Sequence, residues 1–514
     1  MVRRHKKGGG LQSRALRAAW AAAAILLGPG QGRGEGVEVD AGAFGFSPAS
    51  NATANVASLQ RALQGGQRTV RVTRPGDYEL NDTVYLDDDT RVVFAQGVAL
   101  KKAARYGFVL CNRGALTRTW NRNIRIDGLH IRVNGKEGGP PPSLPTWGLR
   151  GQLTLYGVRN AEITRFTCLD LEPRQFCIHV CAFEDLLIDG FEIRGKKDGI
   201  HLGAGRRFTV RNGICETHDD AIALNAQDYP TSQPMQGDIE DGLVENIVDE
   251  AKPQTGGNSV RLLTGAWPDW RPGLRVRNGD TVRCGMNVYR VVLPSGSPET
   301  ASVDAPRHAV GTWYDAAKIG FFHCSSDGAT QANIRRVVFR NMTLRDNRTS
   351  FKFAWDICPA NRAIHPETPK DRWPTCEATI ENCQASATNG PFIWGNSNIR
   401  VHASGVTVAG TLFDVNGRGT SVEAELERVT LLRPPSDKPD LVFTAEGRLD
   451  LSLRALSPQR DLLGQWGKRS AVRVRGDLSL SSLQGLAPNS GDRLMERGVR
   501  KVYDGRLWTD DLAP

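Results

Sequence analysis

A step of 22 residues recurs in the middle of the chain and constrains the fold more than any other feature. Ile178, Ile200 and Ile222 follow one another at this interval. Asp198 and Asp220 are separated by the same 22 residues. Apolar residues recurring at this period indicate a coil of short strands in which each turn stacks on the previous one. Residues one turn apart are then neighbours at about 4.8 Å, which places Asp198 beside Asp220.

A short motif at the predicted corners supports the coil. From residue 121 onwards, an apolar residue, any residue, and then Asn or Gly recur along the chain. Asn and Gly tolerate the left-handed backbone that tight corners need. A β-sandwich would not explain acids in register at 22 residues, so we expect an all-β solenoid of parallel strands. The copies are Ile126-Asp127-Gly128, Ile188-Asp189-Gly190, Val210-Arg211-Asn212, Val244-Glu245-Asn246, Phe339-Arg340-Asn341 and Ile380-Glu381-Asn382.

Three carboxylates, Asp198, Asp219 and Asp220, are the strongest candidates for chemistry. Neighbouring side chains of a strand point to opposite faces, so Asp219 and Asp220 share a site only if the chain bends there. Like charges in one site raise the pKa of one acid. A protonated acid beside an ionised one is the arrangement that glycosidic cleavage needs. A solvated turn is the alternative, and the register of Asp198 favours the catalytic interpretation.

The motifs around these acids resemble those of the polygalacturonase-type, family 28 glycoside hydrolases, which are right-handed parallel β-helices of the pectin-lyase fold. That family carries Asn-Thr-Asp, Asp-Asp, Gly-His-Gly and Arg-Ile-Lys in this order. The first two segments here retain all three acids, the third has no His, and the fourth retains only its Lys. They are Lys196-Lys197-Asp198, His218-Asp219-Asp220, Gly256-Gly257-Asn258-Ser259-Val260 and Ser350-Phe351-Lys352. The resemblance covers roughly residues 36 to 430.

The resemblance implies an inverting hydrolysis of a polysaccharide or oligosaccharide. Asp219 would be the general acid, and Asp198 and Asp220 would activate the water, with no cofactor. Three alternatives stay open: a polysaccharide lyase on the same fold, a non-catalytic glycan binder, and a structural β-helix whose acids only bind cations.

A column of polar residues is predicted beside the acids. His201 follows His179 by one turn, and Arg261 and Lys352 continue the pattern. These groups would bind an acidic sugar or set the pKa values of the acids, or else balance buried charge in a structural ladder. We predict substrate binding for Lys352, Arg261, His201 and Asn258. We predict no metal, because carboxylates suit calcium but no loop signature for it is present.

The longest interruption of the pattern runs from residue 264 to 328. Its Trp270, Pro272-Gly273, Val276-x-x-Gly279-Asp280-x-Val282 and Tyr289-Arg290 resemble the small β modules of the chitin-binding type. Four aromatic residues of this segment would offer flat faces to sugar rings: Trp267, Trp270, Tyr289 and Trp313. Alternatively, these aromatic residues form the core of the module, which is the interpretation we favour for Tyr289.

The remaining segments complete the predicted organisation. Residues 1–35 resemble a signal peptide, with a basic start and an apolar run, Ala18 to Leu27, that is too short to span a membrane. Residues 36–263 would form the N-terminal part of the β-helix, with a capping helix over Val56 to Leu63. Residues 329–489 would form its C-terminal part, and residues 490–514 a cap or loose tail.

Charge and cysteine content agree with an exported protein. The first 33 residues hold seven Lys or Arg, and their removal lowers the formal charge from +10 to about +3. We therefore expect no nucleic-acid partner, no membrane insertion after processing, and secretion to the extracellular space or periplasm. Among the ten cysteines, Cys177 and Cys181 are too far apart on a flat strand to pair. Disulfide partners are expected among Cys358, Cys376 and Cys383. The sequence has no CxxC pair, so we expect no structural zinc site.

Overall fold

The computed structural model describes residues 37–137, 146–229, 231–250, 256–294, 296–308, 319–355, 362–433 and 439–457, and five further strands between 464 and 510. The predicted signal peptide, Trp313 and Cys358 lie outside these residues. The chain folds as an all-β, right-handed parallel β-helix, as the 22-residue period and the family resemblance predict.

One α-helix, α1, closes the N-terminal end of the coil. It spans Ala52–Leu63 and so begins four residues before the predicted segment. The Asn51 side chain caps it by accepting a hydrogen bond from the backbone N–H of Ala54 at 2.9 Å. Leu59 and Leu63 are buried in the core, and the Gln60 side chain exchanges hydrogen bonds of 2.9 and 3.0 Å with the backbone of Tyr85. The helix thus covers a strand edge that would otherwise be open to pairing.

Parallel strands form the turns before the insertion. They are β1 Val37–Asp40, β2 Arg68–Val72, β3 Gly76–Leu80, β4 Val84–Leu86, β5 Thr90–Phe94, β6 Val98–Lys102, β7 Leu110–Asn112, β8 Asn121–Asp127, β9 His130–Arg132, β10 Gly151–Leu171, β11 Phe176–Gly195, β12 Ile200–Leu202, β13 Gly205–Thr217, β14 Ile222–Asn225, β15 Ile239–Asp249 and β16 Val260–Leu263.

An insertion of small antiparallel strands separates β16 from the next turn. These strands are β17 Gly265–Ala266, β18 Leu274–Val276, β19 Thr281–Cys284, β20 Asn287–Val292, β21 Thr300–Ser302, β22 Gly320–Ser325 and β23 Gln331–Ala332. Strands β19, β20 and β22 form one sheet, with β20 in its centre. A separate hydrophobic cluster holds the insertion together and includes Tyr289 and Val291. Tyr289 is therefore a core residue, as predicted.

The coil then resumes and continues towards the C-terminus. Its strands are β24 Ile334–Arg340, β25 Thr343–Leu344, β26 Phe351–Ala354, β27 Thr375–Glu381, β28 Gln384–Ala385, β29 Ile393–Gly395, β30 Asn398–Ser404, β31 Thr407–Val408, β32 Phe413–Val415, β33 Arg418–Leu431, β34 Leu441–Phe443, β35 Glu446–Ser457, β36 Gly464–Trp466 and β37 Ala471–Gly476. Three antiparallel strands follow it, β38 Arg493–Glu496, β39 Val499–Tyr503 and β40 Trp508–Asp510.

Three faces wrap the hydrophobic interior. The first face carries the start of β10 and β11, then β12, β14, β16, β26, β29 and β32. In it Ile178, Ile200 and Ile222 stack in register, followed by Val260 and Phe351, and all five are fully buried. The second face carries β8, β13, β15, β24 and β27, and the third face is built of shorter strands.

The corner motif has the conformation that the sequence predicts. Its six Gly or Asn residues have φ between 52° and 76°: Gly128, Gly190, Asn212, Asn246, Asn341 and Asn382. The side-chain amide of Asn246 donates to Asn212 at 3.0 Å, and that of Asn341 donates to Asn246 at 3.3 Å. The corners therefore stack in register along the coil.

The expected disulfide partners are not joined where the structure shows them. Cys376 and Cys383 are both free and buried. Both thiols point into the interior of the coil as small apolar groups, which is a frequent role of buried cysteine. Among the described residues, no helix is long and apolar enough to cross a membrane.

Candidate active site

The three predicted acids meet at the corner between the third and the first face. Asp198 lies between β11 and β12, and Asp220 lies one turn later between β13 and β14. The backbone N–H of Gly199 donates to the carbonyl of Asp220 at 2.9 Å, so the two turns are in register. One carboxylate oxygen from each of Asp198, Asp219 and Asp220 lies within 4.8 Å of the other two. The predicted juxtaposition is therefore present.

A bend at Asp219 brings two consecutive acids into one site. The Thr217 hydroxyl donates to the carbonyl of Asp219 at 2.9 Å, and the N–H of Asp220 donates to Asp219 Oδ1 at 3.1 Å. The Asp219 side chain is 30% exposed, whereas those of Asp198 and Asp220 are 1% and 0% exposed. Of the three acids, Asp219 is thus the one open to a ligand.

The surroundings of Asp198 favour its ionised form. Burial opposes ionisation, but three cationic or donor groups outweigh it and lower the pKa of Asp198. Lys197 Nζ lies 3.2 Å from Asp198 Oδ1, His201 Nδ1 lies 3.0 Å from Oδ2, and Arg261 is 3.9 Å away.

The pKa of Asp220 moves in the opposite direction. Burial raises it, Asp198 adds to the increase, and the cation Arg261 and a hydrogen bond from Asn258 oppose it. Arg261 Nη1 lies 2.9 Å from Asp220 Oδ2, while the backbone N–H and side-chain amide of Asn258 donate to Oδ1 at 2.9 and 2.7 Å. The environment thus separates the pKa values of two neighbouring carboxyls, which is typical of acid–base sites.

Lys197 and Arg261 also decide whether the acids suit a metal ion. Lys197 Nζ bridges Asp198 and Asp219, and Arg261 pairs with Asp220. Lys197 and Arg261 therefore already neutralise the negative charge of the three carboxylates, which a calcium ion would need as ligands. The acid cluster does not fit a resident metal in this arrangement.

A second layer of polar groups lies beneath the acids and includes a residue that the sequence did not reveal. Asp228 Oδ2 accepts a hydrogen bond from Asn225 at 2.8 Å and lies 3.6 Å from Arg261 and 3.4 Å from His201. His201 is fully buried and stacks on Phe176 with ring centroids 4.0 Å apart. His201 therefore positions Asp198 and does not face a ligand directly. Asp228 lies in a loop outside the 22-residue period, so the period does not predict its position beside the acids.

The insertion reaches this layer through Arg290, a fully buried residue of β20. Its guanidinium donates to the carbonyl of Gly279 at 2.6 Å and to that of Asp228 at 2.5 Å. Arg290 thus ties the central strand of the insertion to the loop that carries Asp228.

A second buried arginine holds the backbone of Asp219. Arg348 pairs with Asp249 at 2.8 Å and donates to the carbonyls of Asp219 and Gly256 at 2.6 and 2.9 Å. Gly257 has a φ of +61°, and a Cβ there would lie 2.5 Å from the carbonyl carbon of Asp219. The backbone of this turn therefore leaves no room for a side chain at Gly257. Arg348 lies four residues before Lys352, whereas the arginine of Arg-Ile-Lys lies two residues before the lysine.

The predicted column on the first face is present. His179, His201, Ala223, Arg261 and Lys352 follow one another in register. Burial lowers the pKa of Lys352, and Asp220 opposes the shift.

Trp394 and Asp414 extend the column beyond Lys352. Lys352 Nζ lies 5.0 Å from the centre of the Trp394 ring. Both new residues are partly exposed, so they extend the polar surface away from the acids.

Two of the tryptophans predicted to bind sugar do not belong to this site. Trp267 is fully buried in the main core, and its Nε1–H donates to the carbonyl of Ala329 at 2.8 Å. A ring with no exposed face cannot stack on a sugar, so the prediction for Trp267 is wrong. Trp270 packs on the core of the insertion, and its Nε1–H donates to Ser302 at 2.9 Å. The packing of the insertion on the coil explains both positions.

Solved structures with a similar course of the chain include glycoside hydrolases and an adhesin. A family 28 exopolygalacturonase from Yersinia enterocolitica has 13% identity and a TM-score of 0.46, over 86% of this chain and 79% of that one. A hyperthermoactive exopolygalacturonase from Thermotoga maritima has 12% identity and a TM-score of 0.46, over 86% and 93%. The Streptococcus pneumoniae surface protein and adhesin PfbA has 12% identity and a TM-score of 0.37, over 86% and 98%.

These similarities are too weak to carry an argument about activity, which rests on the site itself. No protein-family model matches the chain, and no curated protein matches it in sequence.

Proposed function

We propose that the protein is a glycoside hydrolase that cleaves glycosidic bonds of a polysaccharide or oligosaccharide. One observation carries the proposal: three carboxyls lie within 4.8 Å of one another, two of them fully buried with pKa values shifted in opposite directions. Burying carboxylates in this way costs stability, and structural ladders do not need it. Acid–base cleavage of a glycosidic bond uses such a set.

Asp219 is proposed as the general acid, because it is the exposed member of the set. Asp198 and Asp220 are proposed to activate the water, since both are buried beside Asp219. Their carboxyls are held in place by Arg261, His201 and Asn258. The polygalacturonase-like motif order supports these roles.

Lys197 occupies the space between two of the acids, where an attacking water would have to bind. Acid and base of most inverting enzymes are about 6.5–9.5 Å apart, which leaves room for a water. Here the three acids are closer, and Lys197 bridges Asp198 and Asp219. We propose that bound substrate displaces Lys197 and that water enters in its place. An initial product of inverted anomeric configuration by NMR is expected, and a retained product would contradict inversion but not hydrolysis.

A polysaccharide lyase is the second candidate, and Lys352 favours it. A lyase needs a base to remove the proton next to a uronic carboxylate, and burial lowers the pKa of Lys352. Arg261 lies one turn away from it. Against this candidate, Arg261 is already occupied by Asp220 and Asp228.

A product analysis separates the two reactions. Purified protein is incubated with acidic and neutral glycans, and both new reducing ends and the ultraviolet absorbance of an unsaturated uronide are followed. The proposal predicts reducing ends without absorbance. Reducing ends with absorbance would establish a lyase, and absence of both on every glycan would favour a non-catalytic binder.

Export of the protein completes the proposal and rests on residues 1–35 alone. Their basic start and apolar run are typical of a signal peptide. Mass spectrometry of protein recovered from the medium or periplasm is expected to show a shortened N-terminus. An intact N-terminus in the cytoplasm would contradict export.

A further inference from the structure

A groove lies where the insertion meets the β-helix, away from the acids. Two cavities of about 370 and 240 Å³ have Trp120, Ala182, Met235 and Asp327 in common, so they form one continuous groove. We call it the Trp120 groove. Its larger part lies within the usual range of small-molecule sites, about 300–1,000 Å³.

The Trp120 groove is separate from the proposed active site. Ala182 follows His179 by three residues on β11, a distance of about 10 Å along the strand. The chain turns at Ala182, whose φ is 60°. None of the three acids lines either cavity, so a ligand in the groove would lie around the corner from them.

Trp120 provides an aromatic surface in the groove. It is 41% exposed, which is unusual for so large an apolar ring. The guanidinium of Arg159 lies 4.7 Å from the ring centre. Because this cation already interacts with the ring, a second cation would be repelled, and an uncharged partner is favoured. The apolar face of a sugar ring is a partner of this kind.

Asp327 provides a fixed hydrogen-bond acceptor beside the ring. Its Oδ1 accepts from the Ser325 hydroxyl at 2.9 Å and from the N–H of Ala329 at 3.0 Å. In the part of the chain that the structure describes, no ion pair involves Asp327, whereas Glu184, also in the groove, pairs with Arg206 at 3.0 Å. Asp327 therefore offers carboxylate oxygens that accept hydrogen bonds from hydroxyls. The acidic residues of the groove outnumber its arginines, which disfavours a uronic acid: they are Glu184, Asp238, Glu240 and Asp327 against Arg118 and Arg206.

His323 adds a neutral polar group to the larger cavity. Burial and the neighbouring His308 lower the pKa of His323 to about 4. Its Nε2 lies 2.9 Å from the hydroxyl of Ser326, which also lines the cavity. At neutral pH His323 therefore offers a hydrogen-bonding group without positive charge, and Arg118 is the cation of this cavity.

We propose that the Trp120 groove is a second carbohydrate-binding site, which takes a short segment of an uncharged glycan. Trp120 stacks on a sugar ring, and Asp327 accepts hydrogen bonds from its hydroxyls. The site is independent of the proposed hydrolysis, because it shares no residue with the acids. It also gives the insertion a role in binding, as a wall of the groove, although the ring of Trp267 is buried.

Affinity electrophoresis of the full chain tests the site. Gels contain xyloglucan, galactomannan or mixed-linkage β-glucan as neutral probes, and polygalacturonate as the acidic probe. All variants carry Asp219→Asn, so that probe cleavage does not obscure binding. The exposed Tyr106, which also has an arginine near its ring, provides the matched control.

The expected result is retardation by at least one neutral probe, weakened about tenfold by Trp120→Ala and unchanged by Tyr106→Ala. Trp120→Phe retains a ring and should recover most of the binding, with a thermal unfolding midpoint like that of the parent. Three results would overturn the proposal: no retardation by any neutral probe, retardation by polygalacturonate only, or equal retardation with and without Trp120. Displacement of the probe by oligolysine would instead indicate a site for cationic peptides.

Discussion

Two columns of charged residues run along the same coil and have opposite characters. On the second face, Asp189, Arg211, Glu245 and Arg340 alternate in sign, and their ion pairs of 2.8 and 2.7 Å reach the surface through the partly exposed arginines. On the first face, the imidazole of His201 and the cations Arg261 and Lys352 accompany three clustered acids, two of which are fully buried. The backbone repeat is common to both columns.

The difference shows which charges the fold needs. The second-face ladder neutralises each turn with the next at the surface, where such pairs contribute little and cost little. The first face instead buries charges that water would solvate better. Since the repeat can be built without them, the buried charges indicate function.

The largest effect on stability is expected for Arg261→Met. The change leaves Asp198, Asp220 and Asp228 without their shared cation, and loss of one partner of a buried pair costs about 3–5 kcal/mol. Arg261 also lowers the pKa of Asp198, so its contribution is present at neutral pH and is lost as the acids become protonated. Denaturant unfolding should show a large loss at pH 7 that narrows towards acidic pH.

Arg211→Met on the second face is the matched control. It removes an arginine that pairs with Asp189 at 2.8 Å, and we expect a loss of about 0–1 kcal/mol. Equal losses in the two variants would remove the distinction between the two columns.

Arg290→Met tests whether the insertion supports the acid site. The variant loses two hydrogen bonds to backbone carbonyls, including that of Asp228. Misplacement of the layer beneath the acids should reduce kcat about 10–100-fold, with a smaller change in KM. Arg275→Met is the control, since Arg275 is an exposed residue of the same insertion. A normal kcat in Arg290→Met would show that the insertion does not position the site.

Lys197→Met tests the electrostatics of Asp198. Lys197 lowers the pKa of Asp198, so its removal raises that pKa. If ionised Asp198 helps to activate water, the acidic limb of the pH dependence of kcat/KM, which reports the free enzyme, should move to higher pH. Lys196→Met is a control from the next residue, whose side chain pairs with Glu172 at the surface. An unmoved acidic limb in Lys197→Met would exclude Asp198 from the titration that controls the rate.

The smallest effect is expected for Arg400→Ala in β30, which continues the second face after β27. It removes an ion pair of 3.1 Å with Glu423, in which both side chains are exposed, and the free energy of unfolding should fall by about 0–1 kcal/mol with activity unchanged. Denaturant unfolding and a reducing-end assay check both. A loss above about 3 kcal/mol would mean that the ladder holds the coil together after all.

The sequence predicts the coil and the acids because both follow one period. Ile178, Ile200 and Ile222 share an interval, and the register of Asp198 and Asp220 follows from it. The corner motif is readable because only a left-handed residue fits there, as at Asn212 and Asn246.

Residues outside the period are not predictable in this way. Asp228 comes from a loop and Arg290 from the insertion, and only the packing of the two segments brings them together. The sequence around Trp267 does not distinguish a buried ring from an exposed one. Its burial depends on how the insertion covers the coil. For Arg348, the distance to Lys352 differs from that of the motif, so its contact with Asp219 appears only in three dimensions.

The most direct test of the central claim compares Asp219→Asn with Asp189→Asn. Both exchange a carboxylate for an amide of the same shape, one in the acid cluster and one in the surface ladder. If the cluster is catalytic, Asp219→Asn should lower kcat about 10³-fold or more, with an unfolding midpoint close to that of the wild type. Asp189→Asn should retain full activity. Near-normal turnover of a folded Asp219→Asn would contradict the claim that this cluster carries out the cleavage.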